Sequence, residues 1–189
     1  MKTMLLFVIL LLSMGAMQAQ EVIQLGEARI SYNPDAIVVD SDLNSLSFTV
    51  KEKYNGEFSK NPIQFMKQNF DFKGLLSSLE GSDDFYEFLV TFKSKKGYLE
   101  ATYNIEGELV NTYQKFSNKT LPLDIRRQVY TQNQGWTMVS NKYVASGRFD
   151  RIDKEFYKIK LANNNKLKNI KVVPGSTSDA GLASVKLNI

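Results

Sequence analysis

The chain has 189 residues, no cysteine and no histidine, 24 basic against 20 acidic residues, and an aromatic share of 12%. The missing residue types exclude Ser-His-Asp and Cys-His catalysis, imidazole metal ligands, thiol nucleophiles and thiolate zinc sites. The glycine spacing contains neither a dinucleotide-binding fingerprint nor a phosphate-cradling Gly-Lys-Ser/Thr loop.

Residues 1–19 read as a signal peptide. They carry one charge (Lys2), an apolar run from Met4 to Leu12, and the small residues Gly15, Ala16 and Ala19. That run is too short to span a bilayer as a stable helix, and the small residues predict cleavage near Ala19. With no cysteine after the signal, a lipoprotein anchor is not expected, so the reading is an exported protein, periplasmic or secreted. The remaining 170 or so residues suit one domain that buries roughly 70% of its unfolded surface. Export permits disulfides and the chain has none, so packing and the sheet ladder must hold it.

Residues 20–60 form a less regular strand and loop segment. Leu46, Phe48 and Val50 alternate with Ser47, Thr49 and Lys51 as in a strand, after a short apolar run at Ile37 to Val39. Asn33-Pro34-Asp35 and Tyr54-Asn55-Gly56 have the composition of turns.

Residues 61–117 predict a helix followed by three antiparallel strands. Asn61-Pro62 opens the helix, because Asn caps free amides and Pro fits the first helical position. Ile63, Met66 and Phe70 then share a face. The stretch from Phe72 to Ser82 is compatible with another helical turn or two, carrying Leu75, Leu76 and Leu79. From Asp84 to Phe116 the alternation has period two: Tyr86, Phe88, Val90 and Phe92 against Glu87, Thr91 and Lys93, then Leu99, Ala101, Tyr103 and Ile105 against Glu100, Thr102 and Asn104. Lys95-Lys96-Gly97 and Glu106-Gly107 supply the hairpin turns.

Residues 118–173 repeat the plan. Leu121, Ile125 and Val129 share a helix face after Leu121-Pro122, with Asp124 in the first turn, where an acid favours the helix dipole. A strand from Trp136 to about Ser146 and a turn-rich insert, 147–153, follow. The strand from Phe156 to Leu161 points Tyr157, Ile159 and Leu161 one way and Lys158 and Lys160 the other. Asn163-Asn164-Asn165 then turns into Lys166 to Val173. Residues 174–189 read as a loose tail in which Val185, Leu187 and Ile189 alternate as an added edge strand would. The expected fold class is α+β, with tandem helix-plus-three-stranded antiparallel modules.

The opening LPLDIRRQVY, then GWTMVSNKYVASGR and the strand FYKIKL turning into a lysine-rich strand, resemble the PepSY-like group related to beta-lactamase-inhibitor proteins, and more closely small exported proteins of the flavobacterial type. The resemblance covers about residues 98–173. It implies tandem helix-plus-sheet modules and an envelope or secreted location, and it supplies no catalytic residues.

Acidic clusters are weak candidates for chemistry. Asp40, Asp42 and Asn44 mimic the first ligands of a calcium loop, but Ser45 stands where glycine is needed and Lys51 where the bidentate Glu belongs. Asp83-Asp84 and Glu106 with Glu108 fit a strand boundary and a solvated turn better than an acid and base pair. No cofactor or metal is expected.

Charge is unevenly placed. Residues 141–173 hold nine basic side chains against three acidic ones, whereas the rest of the mature chain is net negative. Such asymmetry steers acidic partners; the plainer alternative is that lysines solvate the outer face of a sheet and guard its edge. The candidate partner-binding residues are Arg148, Arg151, Lys158, Lys160, Lys166 and Lys168, with Trp136 and Tyr143; Trp136, Tyr130 and Tyr143 at a helix-to-strand junction are otherwise core. Phe149, Phe156 and Tyr157 interleave with the basic run as in a nucleic-acid groove, but export argues against that polymer. The sequence therefore predicts a non-catalytic binding or inhibitory module for a protein or acidic envelope component. The alternatives are a carboxylate-based envelope hydrolase and a purely structural envelope protein.

Overall fold

The computed structural model describes residues 32–42, 45–77, 86–175 and 184–187. The expected signal peptide, Leu79 and the pair Asp83-Asp84 lie outside the described residues. Strands β1 (Ile37–Asp42) and β2 (Ser45–Val50) form a hairpin. A 3-10 turn at Glu52–Tyr54 leads into three short helices, α1 (Asn55–Lys60), α2 (Pro62–Asn69) and α3 (Phe72–Leu76). Next come β3 (Glu87–Ser94), β4 (Gly97–Asn104) and β5 (Leu109–Ser117), helix α4 (Leu123–Gln132), β6 (Thr137–Arg148), β7 (Lys154–Asn163), β8 (Lys166–Val172) and β9 (Ser184–Leu187).

The fold is α+β, and the strands form one nine-stranded sheet in sequence order. All neighbours are antiparallel except β2 and β3, which pair in parallel across the helical connection α1 to α3. A parallel pair cannot be closed by a tight turn, and the intervening helices supply the crossover. The segment 20–60 thus contributes its strands to the same sheet as the rest. Asp40 and Asp42 stand on β1, paired with Ser47 and Ser45 of β2, and Asn44 lies outside the described residues. In the tail, β9 pairs with β8 at the sheet edge.

One sheet face carries the core. Phe48, Val90, Phe92, Leu99, Ala101, Phe116, Ala145, Ile159 and Leu161 are fully buried on it, together with Phe58, Phe65, Met66 and Leu75 of α1 to α3 and Ile125 and Val129 of α4. Aromatic rings join the layers: Phe48 stacks on Phe92 at 5.1 Å, Phe72 on Tyr103 at 4.2 Å, and Phe58 meets Phe65 and Phe116 edge-on at 5.3 Å each. Such pairs add specific geometry to the area they bury.

Three local expectations need correction. Tyr54-Asn55-Gly56 is helical, because continuing the helix through Asn55 buries Phe58 between α2 and the sheet. Tyr86 lies outside β3 and is 90% exposed, while Phe88 is only partly buried. Ile105 stands in the β4–β5 turn and is half exposed, because β4 ends at Asn104.

Asp71 caps α3, its side chain accepting a hydrogen bond from the Gly74 amide at 3.1 Å. Because α3 holds Phe72 and Leu75 against the core, Asp71→Ala should lower stability by about 1 kcal/mol in urea unfolding, and Asp71→Asn should lower it less. Equal losses for the two variants would mean the cap contributes nothing.

Candidate docking surface

Strict alternation sends every second strand residue to the face opposite the helices. Cross-strand partners share a face, so the register defines this surface directly. In β3 to β5 it presents Leu89, Thr91 and Lys93 beside Thr102, Glu100 and Tyr98, and then Asn111, Tyr113 and Lys115. Across β6 to β8 it continues with Arg148, Ser146, Val144 and Lys142, then Lys154, Phe156, Lys158 and Lys160, then Asn169 and Lys171. On this face β3 and β4 carry Glu87 and Glu100, and Asp153 reaches it at Arg148 and at the groove beside the lysines.

The basic side chains are concentrated in one row. Lys142 stands directly opposite Lys158, which stands directly opposite Lys171, across β6, β7 and β8. Like charges in register repel one another. Among the described residues the ion pairs are Lys67 with Asp150, Lys95 with Glu52, and Arg148 and Arg151 with Asp153; none reaches the row. What the row does meet is an aromatic ring: the Lys171 and Lys158 amines lie 4.4 and 5.8 Å from the Phe156 centroid. Beside it a groove of about 620 Å³ has a lining that includes Tyr113, Val144, Phe156 and Lys171, with Asp153 and Glu155 at it as well. Tyr98 and Tyr113 pair on the same face with centroids 6.1 Å apart.

The sequence-derived candidates divide between the two faces. Lys158 and Lys160 lie on the open face with Arg148, whose guanidinium is held at 3.1 Å by Asp153. Arg151 sits exposed in the β6–β7 turn. Lys166 and Lys168 fall on the helix side, since Leu161 pairs with Lys168 and Asn163 with Lys166. The two pairs of lysines therefore lie on opposite faces, because a two-residue turn puts even-numbered β7 residues opposite odd-numbered β8 residues. Lys168 instead donates to Asn133 Oδ1 at 2.9 Å, tying the end of α4 to β8, with its amine 5.8 Å from the Trp136 ring. Trp136 is partly buried against the core, Tyr130 is half exposed, and Tyr143 is buried, donating its hydroxyl to Glu155 at 2.6 Å. The three do not form an aromatic groove. Sequence reasoning missed Lys142 and Lys171 as a unit with Lys158, and it missed Lys93, Lys115 and Lys154. Their outward parity was readable, but their juxtaposition needed the register.

Glu106 and Glu108 lie in the exposed β4–β5 turn, where the Glu108 amide donates to Asn104 Oδ1 at 2.7 Å. Among the described residues no helix is long and apolar enough to cross a membrane, and no cluster of three or more Asp, Glu, His or Cys side chains could hold a metal. Compared with known proteins, the chain matches no family model, no curated protein and no solved structure.

Proposed function

We propose that this chain is an exported, non-catalytic binding module, inhibitory or otherwise, that holds an acidic protein partner on the open face of its sheet. The observation that carries this reading is the register of Lys142, Lys158 and Lys171, three like charges opposed with no carboxylate among them. An arrangement that disfavours the isolated chain is accounted for when a partner supplies the opposite charge. A protein surface fits better than a plain polyanion, because the cations surround apolar ground: Leu89 is 51% and Val173 42% exposed, and Tyr98, Tyr113, Val144 and Phe156 lie between the lysines. Cations at a rim around aromatic anchors are the anatomy of a protein interface. In this reading the two runs of helix followed by three strands are related modules of the PepSY-like kind, and the N-terminal 19 residues direct export.

The test separates stability from binding. Lys158→Glu places an acid between two lysines and should raise the unfolding free energy by about 0.5 kcal/mol. The same change should reduce capture of a partner from an envelope fraction, and capture by the wild type should weaken as salt rises, because screening shortens to about 8 Å near physiological ionic strength. Destabilisation by Lys158→Glu, or capture indifferent to both the variant and salt, would make the lysines a solvated face only. Retention of acidic polysaccharide in place of protein would overturn the choice of partner.

A further inference from the structure

On the helix side of the sheet a second cleft, of about 410 Å³, opens where α2, the β5–α4 loop and the β6–β7 turn meet. Its lining includes Lys60, Lys67, Gln114, Lys119, Tyr143 and Asp150. Among the described residues one polar atom there lacks a hydrogen-bond partner and one amine lacks an ion pair. Gln114 is 2% exposed, yet its Oε1 accepts no hydrogen bond. A buried acceptor left unmade carries a free-energy penalty, so such an atom in a native core calls for an explanation. Lys119 holds its amine 4.1 Å from the Tyr143 ring centroid and 5.6 Å from that of Phe116, and it forms none of the ion pairs among the described residues. The nearby acids are engaged elsewhere: Glu155 accepts from Tyr143, and Asp150 is held by Lys67 at 2.9 Å.

We propose that this cleft binds a small hydroxylated carboxylate of sugar-acid size, with Lys119 taking the carboxylate and Gln114 Oε1 accepting from a hydroxyl. The volume lies in the range of small-molecule sites, and a wall of aromatic carbon with a few placed polar groups is their usual lining. Lys119 and Lys60 leave the cleft net cationic beside the Lys67–Asp150 pair, so an anion is favoured over a neutral sugar. The unmet acceptor adds the second requirement, since a simple carboxylate has no donor to offer it. Burial also pushes the Lys119 amine down to about 8, with Glu155 partly opposing, so the charged form gains from an anionic neighbour. This site uses side chains on the opposite side of the sheet from the lysine row and stands independently of the docking reading.

Galacturonate is the probe, with glucose as the neutral control and acetate as the carboxylate without hydroxyls. Calorimetric titration of the purified protein should show galacturonate binding at least tenfold more tightly than either control. Lys119→Met should weaken it tenfold or more, and Gln114→Leu about fivefold. Should a variant fail to fold, the wild type decides: an amine-acylating reagent at pH 8 should label Lys119, and galacturonate, not glucose, should slow that labelling at least fivefold. Equal affinity for galacturonate and glucose, unchanged affinity in both folded variants, or no protection of Lys119 would overturn the proposal and leave Gln114 to a bound water.

Discussion

Phe92→Ala is expected to lower the unfolding free energy by about 3–5 kcal/mol. Phe92 is fully buried on β3, the strand where the parallel pairing with β2 meets the antiparallel meander. Its ring stacks on Phe48 at 5.1 Å with 15° between the planes and meets Phe70 edge-on at 5.5 Å. Truncation therefore removes a large transfer term and leaves a cavity between the sheet and the α2–α3 junction, where neighbouring rings cannot collapse without losing their own contacts. The same strand supplies internal controls. Phe88 is only partly buried, so Phe88→Ala should cost clearly less, while Leu89, on the open face and 51% exposed, should tolerate alanine within about 0.5 kcal/mol. Urea unfolding of the three variants checks the order. A loss at Phe92 below about 1 kcal/mol, or one smaller than that at Phe88, would mean the inward face of β3 is misassigned.

Much of that face was legible in the sequence, because period-two alternation is local. Val90 and Phe92, Leu99, Ala101 and Tyr103, and Tyr157, Ile159 and Leu161 all point inward as their spacing predicts. The same rule misleads at strand ends, where Tyr86 keeps the parity but the strand has not begun. What local pattern does not encode is which strand lies beside which. Nothing in Leu46, Phe48 and Val50 announces a parallel partnership with β3, since it depends on the helices α1 to α3 between the two strands closing over the sheet. The same limit applies to the candidate site. The outward parity of Lys158 is visible in the sequence, but its opposition to Lys142 and Lys171 depends on the turns between strands, and the β7–β8 turn sent Lys168 to the other side. The cleft was invisible because Gln114 reads as one more polar residue in an alternating strand, whereas its parity places it with Leu99 on the helix side.

Alkali should unfold the protein cooperatively between about pH 11 and 12, and the tyrosines should ionise together with the loss of structure. Burial raises the phenol groups of Tyr103, Tyr143 and Tyr157 above their ordinary value of 10.0, Tyr157 up to about 12 and the other two further; the bond to Glu155 adds to the effect at Tyr143. Above pH 10 the unfolded chain releases these protons while the folded chain keeps them. The folded state then holds more protons, and stability falls as pH climbs through the folded values. Two units of pH beyond 10 would remove about 2.7 kcal/mol per fully buried phenol. Discounting Tyr143 and Tyr157 by about half for screening by nearby water leaves roughly 5 kcal/mol. That is comparable with the whole stability of a domain this size. Lys119 works in the other direction at lower pH: with its amine depressed to about 8, the unfolded chain holds the extra proton between about pH 8 and 10, so stability rises across that window before the tyrosines reverse it. Phenolate absorbance and circular dichroism followed on one sample from pH 8 to 13 test both limbs. Phenolate appearing fully near pH 10 with the fold intact would place these three hydroxyls in water, and Tyr103→Phe, which keeps the ring and removes the ionisable group, should move the unfolding midpoint to higher pH.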